Sequence, residues 1–153
     1  MMKKLNYSID IHASKEEVWN TLWDDATYRQ WTSPFQEGSH AVSDWNEGSK
    51  ILFLGPNGDG MYSRIEKKIA NEVMIFKHLG IAKDGKEMPM DDETKKWSRA
   101  TESYSLRQNG ELTTLKVEAD STEDHFEIFK EAFPKALHKL KTLAEKKHEL
   151  ANA

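Results

Sequence analysis

Phe126, Phe129, Phe133, Ala136, Leu137, Leu140 and Leu143 recur at spacings of three and four near the end of the chain. That spacing predicts one long helix from about Thr122, with Ser121 and Asp124 at its start and an apolar stripe too wide to leave in water. Pro134 falls inside the pattern, and because the stripe continues in register it is expected to bend the helix rather than end it. A helix with such a stripe needs a broad apolar surface to cover, so the rest of the chain must provide one.

The middle of the chain supplies it. From Gly38 to Asp120 the sequence is almost all strands and turns. "SHAVSDW" and "SKILFLG" flank Asn46-Glu47-Gly48, and "GPNGDG" forms the next turn. "MYSRIEKKI" and "VMIFKHLG" flank Ala70-Asn71-Glu72, and "TESYSLRQ" and "LTTLKVEA" meet at Asn109-Gly110, a strong hairpin signal. A polar insert, residues 83–96, separates the last two hairpins. Before all of this, Leu5, Tyr7, Ile9 and Ile11 alternate with polar residues as a first strand. Ser14 and Glu17 have capping-box spacing ahead of "VWNTLW", and "DATYRQW" reads as a second short helix ending before Ser33-Pro34.

The order is strand, two short helices, six antiparallel strands, long helix. It predicts an α+β, helix-grip fold: a curved antiparallel sheet of about seven strands around the C-terminal helix, with 1–153 as a single domain. Two stretches carry a family likeness. "IHASKEEVWNTLWDDATYRQW" has a small residue ahead of the "VW" region and a second tryptophan a dozen residues on; "FPKALHKLKTLAE" is like the closing helix. The chain resembles the activator-of-heat-shock-ATPase homologue-like branch of the START-related, SRPBCC superfamily, which includes Bet v allergen-like and polyketide cyclase-like proteins. The family's usual glycine pair after the second strand is Gly48-Ser49 here. The resemblance implies a cavity for a small hydrophobic ligand. It also implies two alternatives: a cyclase or dehydratase, and a protein that contacts a chaperone.

Composition excludes several classes. The net charge of −4 gives no basic field for nucleic acid, and no apolar run approaches the length of a membrane span. There is no cysteine, hence no disulfide or thiolate chemistry. "MMKKLNYSIDIH" passes directly into strand-like alternation rather than a signal segment, so the cytoplasm is the expected location. The six histidines are scattered, no metal spacing or nucleophile elbow occurs, and no cofactor is expected. Asp91, Asp92 and Glu93 read as a solvated loop, and Trp19, Trp23 and Trp31 as core anchors.

Residues on the inner strand faces remain. In "MIFKHLG", Lys77 belongs in water, so parity turns Met74, Phe76 and His78 inward together. Glu102 is the one carboxylate on the inner face of its strand, with Tyr104 and Leu106 beside it. A buried carboxylate needs a donor, and His78 or Tyr104 can supply one. The candidate ligand-binding set is therefore His78, Glu102, Tyr104, Met74 and Phe76. Phe129 and Phe133 of the closing helix join it, with Trp97 and Trp45 beside turns as rim residues. In the cyclase reading, His78 and Glu102 would be the acid and base.

Overall fold

The structure, a computed structural model, describes residues 2–152. Strand β1 (Met2–Ile11) leads to helices α1 (Lys15–Trp23) and α2 (Asp25–Trp31). Strands β2 (His40–Val42), β3 (Lys50–Leu54), β4 (Gly60–Ile69) and β5 (Val73–Lys83) follow. Within the insert lie β6 (Lys86–Glu87) and the single-turn helix α3 (Asp92–Lys95); β7 (Thr101–Asn109), β8 (Leu112–Thr122) and α4 (Glu123–Ala151) complete the chain. The sheet is antiparallel in the order β1-β8-β7-β5-β4-β3-β2, with β6 paired to β5 outside that path. This is the helix-grip arrangement, with β6 added to the seven strands that alternation predicts. Among the described residues, no helix is long and apolar enough to cross a membrane.

Local chemistry sets the element boundaries. Ser14 Oγ accepts from Glu17 N (3.1 Å) and Glu17 Oε1 accepts from Ser14 N (2.9 Å), a complete capping box. Such a cap contributes about 1 kcal/mol, and His148 of α4 also reaches Glu17 Oε1 at 2.6 Å. At the β7–β8 hairpin the central pair is Gly110-Glu111, because Asn109 is still paired with Leu112. Gly110 alone there has a positive φ, +67°, the pattern of a turn with glycine first rather than one with Asn-Gly at its centre. Residues 83–96 are more ordered than a polar loop. Asp84-Gly85 turns β5 into β6 with both residues at positive φ, and Asp91 caps α3 by accepting from Thr94 N at 2.8 Å.

Helix α4 packs across β1 and β8 and against α1 and α2. Ala132, Phe133, Ala136, Leu137, Leu140 and Ala144 are its buried face. Thr122, not Ser121, is its N-cap, and the helix runs unbroken through Pro134, which is exposed. Pro134 has no N–H for the Lys130 carbonyl four residues back. The Tyr7 hydroxyl from β1 approaches that carbonyl instead, at 3.4 Å, while the Tyr7 ring stacks on Phe133 at 5.2 Å. Pro134→Ala restores the missing helical bond, so it is expected to raise the unfolding free energy in a urea titration by about 1–3 kcal/mol. A loss of stability would show that the proline is needed for docking α4.

Trp23 is the hub of the aromatic core. Its ring lies 6.2 Å from Trp19, 6.5 Å from Trp31, 5.3 Å from Phe76 and 5.1 Å from Tyr104. Edge-to-face contacts of this kind add to the energy of burying the rings. Trp19, Trp23 and Trp31 are all core residues.

Candidate functional site

A cavity of about 500 Å³ lies between the inner face of the sheet and α4. Aromatic rings make much of its wall. Phe129 and Phe133 come from α4, Phe35 from the segment after α2, and Tyr28 and Trp31 from α2 itself. Trp97 lines it too, from the turn that follows α3, whereas no residue of 83–96 does.

The sheet side is polar, and it is built by strand register. Because β5 pairs with β7 across the insert, Phe76 lies opposite Glu102, and His78 is two residues further along on the same face. His78 Nε2 and Glu102 Oε1 are 3.1 Å apart, and the Tyr104 hydroxyl donates to Glu102 Oε2. A carboxylate only accepts, so Nε2 carries the hydrogen toward Glu102. The other ring nitrogen, Nδ1, is 2.7 Å from Ser63 Oγ. Ser63, fully buried on β4, was missed by parity alone. The β4–β5 pairing shifts between Tyr62 and Ser63, so that Tyr62 faces Gly80, Ser63 faces His78, and Leu79 has no opposite number. This bulge puts the hydroxyl on the same face as the imidazole. The backbone of His78 is clamped as well: its N–H donates to the Ala100 carbonyl and its own carbonyl accepts from Arg99 N. Arg99 has φ +76°, a left-handed conformation seldom adopted by a side-chain-bearing residue.

Electrostatics follow from this geometry. Burial acts to raise the Glu102 pKa, but the His78 hydrogen bond and charge, with the Tyr104 hydroxyl, outweigh it and leave it below its ordinary value. Burial, then the charge and hydrogen bond of Glu102, push the Tyr104 phenol well up, and Tyr28 is raised by burial and by Glu102. Glu102 is thus an ionised carboxylate among phenols that keep their protons. For a depressed carboxyl, the stability it contributes is complete above the unfolded-state pKa and is lost as pH falls through the folded one. A carbon-detected NMR titration of the Glu102 carboxyl is therefore expected to give a midpoint below 4.5. A midpoint above that value would mean that burial wins.

Six of the nine candidates from the sequence reach the cavity wall: His78, Glu102, Tyr104, Trp97, Phe129 and Phe133. Met74, Phe76 and Trp45 do not. Met74 and Phe76 face inward but are covered, at 0% and 1% exposure. Trp45 adopts φ +64° and packs its ring 5.7 Å from Trp23, half-buried against the aromatic cluster. Tyr28, Trp31 and Phe53 are wall residues that the sequence did not single out as such. Among the described residues, no group of three acidic, histidine or cysteine side chains is placed to hold a metal ion.

Residues 12–145 match the sequence profile described as activator of Hsp90 ATPase homolog 1-like protein. The chain belongs to this family. No curated protein matches it by sequence. Among solved structures, the Aha1 dimer from Colwellia psychrerythraea is 22% identical, with a TM-score of 0.71 over 94% of this chain and 96% of that one. CalU16 from Micromonospora echinospora is 15% identical, with a TM-score of 0.65 over 92% of this chain and 65% of that one. DynU16, from the dynemicin biosynthetic locus, is 15% identical at a TM-score of 0.67; this chain matches over 95% of its length but spans only 48% of DynU16. At these identities the likeness is one of fold. In this chain His78, Glu102 and Tyr104 face an aromatic cavity, with the buried Ser63 behind His78.

Proposed function

We propose that the protein binds a small hydrophobic or amphipathic molecule in the cavity between sheet and α4, oriented by hydrogen bonds to Glu102 and its neighbours. The observation that carries this reading is a cavity of about 500 Å³ with largely apolar walls and one convergent polar group. Binding sites for small molecules have this size and this balance. Binding fits better than acid–base catalysis because both ring nitrogens of His78 are already engaged by Ser63 and Glu102. Ser63, the partner of Nδ1, is fully buried and lines no part of the cavity, so a molecule bound there does not meet its hydroxyl. Contact with a chaperone ATPase rests on the family match alone, and its test is ATPase turnover with and without this protein.

A thermal-shift and native-mass screen with sterols, fatty acids, amines and aromatic polyketides tests the binding reading. His78→Gln is expected to weaken binding of any hit several-fold while leaving the melting temperature within a few degrees. Binding that ignores both His78→Gln and Phe133→Trp, which fills the cavity, would place the ligand elsewhere and end the proposal.

A further inference from the structure

The cavity wall has an uneven charge. Among the described residues, three carboxylates line it, Asp59, Glu102 and Asp120, and no lysine or arginine does. Two of the three are already tied into the fold. Asp120 accepts from the Thr101 N–H and hydroxyl and has Lys4 Nζ at 3.8 Å; Asp59 accepts from Asp84 N and Asn57 Nδ2. Asp59 is exposed to water, whereas Glu102 is part-buried among aromatic rings. Its donors are the Tyr104 hydroxyl and the His78 N–H, and 23% of its side chain stays accessible. Each carboxylate oxygen accepts one hydrogen bond and has room for another.

Histidines also line the wall, but their protein partners are local. His40 Nδ1 donates to the Gly38 carbonyl, and His125 Nδ1 meets Thr122 Oγ1 while its ring stacks on Phe129 at 6.0 Å. Around Glu102 the surfaces are aromatic. Tyr104 lines the same wall, and Phe53 lies 5.8 Å from the His78 ring. Ring faces attract a cation and do nothing for an anion.

From this geometry we infer that the cavity selects an apolar molecule bearing a protonated amine. The ammonium lies against the free lone pairs of Glu102, and the hydrocarbon body runs along Phe129 and Phe133. The carboxylate counterpart of the same molecule is rejected, because its head meets a like charge where water is scarce. Burial first, and then the Glu102 charge, raises the phenols of Tyr28 and Tyr104. The inference rests on the proposed binding function and names the ligand class for that site.

The test uses one fluorescent scaffold with three heads: pyrenebutylamine, pyrenebutanol and pyrenebutyrate. They are titrated into the full chain at about pH 8, where an alkylamine is charged and a carboxylic acid is ionised. The expected order is amine, then alcohol, then carboxylate, with about tenfold or more between the ends. Glu102→Gln is expected to bring the three to within about threefold of one another, since it removes the charge and keeps the shape. Equal binding of all three by the wild type would overturn the charge inference and leave the cavity reading standing. So would a preference that survives Glu102→Gln in a variant whose melting curve shows it folded. If none of the three binds and the neutral dye Nile red does not bind either, both readings fall together.

Discussion

Trp31→Ala is expected to destabilise the protein by about 3–5 kcal/mol, the largest effect of any single side-chain truncation proposed for this chain. Trp31 is 1% exposed, and its ring contacts Trp23, Tyr28 and Tyr104 at 6.5, 5.5 and 6.2 Å. Its indole N–H donates to the Leu22 carbonyl at 3.0 Å, locking the end of α2 to α1. Alanine removes the ring, leaves that carbonyl without its donor and merges the empty volume with the cavity that Trp31 lines. Trp31→Phe keeps most of the packing and loses the hydrogen bond, so it is expected to cost roughly half as much or less. Guanidinium titrations of both variants measure this. A cost below about 1 kcal/mol for Trp31→Ala would mean that the aromatic cluster closes over the gap, contrary to the stiffness expected of packed rings.

His78→Leu is the second large effect, at about 1–3 kcal/mol. Leucine is similar in bulk and suits an apolar face, so little packing is lost. What is lost is the Nε2–H donor to Glu102 and the Nδ1 partner of the fully buried Ser63 hydroxyl. Glu102 keeps only Tyr104, and a depressed carboxyl becomes one that burial drives upward. Glu102→Gln should cost less, because an amide still bonds to both neighbours. The decisive measurement is a double-mutant cycle: His78→Leu should be cheaper in the Glu102→Gln background than in the wild type. Additive costs would show that the two side chains sit together without sharing energy.

Short-range patterns in the sequence determined much of this protein. The Ser14–Glu17 capping box, the extent of α2, the inward set Met74, Phe76 and His78 on β5, and the apolar stripe of α4 are set by residues a few positions apart. Periods of two and 3.6 record which side of an element faces away from water. Those patterns are local, so they survive reading in one dimension, and the order of elements then leaves few ways to stack helix on sheet. The pairing of His78 with Glu102 was legible for the same reason, since one insert joins their strands and antiparallel pairing brings both to one end.

Tertiary structure alone decided what lies over each inward face. Met74 and Phe76 share parity with His78, yet rings from Trp23 and Tyr104 cover Phe76, while His78 meets the cavity. Parity cannot separate a wall residue from a core residue, because the difference is made by a distant segment arriving on top. Ser63 joined the polar group through a bulge that offsets two strands by one residue, an irregularity with no period to announce it. Trp45 packs against the core from a left-handed backbone angle, and the Lys130 carbonyl freed by Pro134 found Tyr7 from the far end of the chain. The negative character of the cavity belongs here too. The chain carries 22 lysines and arginines, and only the fold keeps all of them off that wall while turning Glu102 toward it. A charge's place relative to water is a property of packing, which composition does not contain.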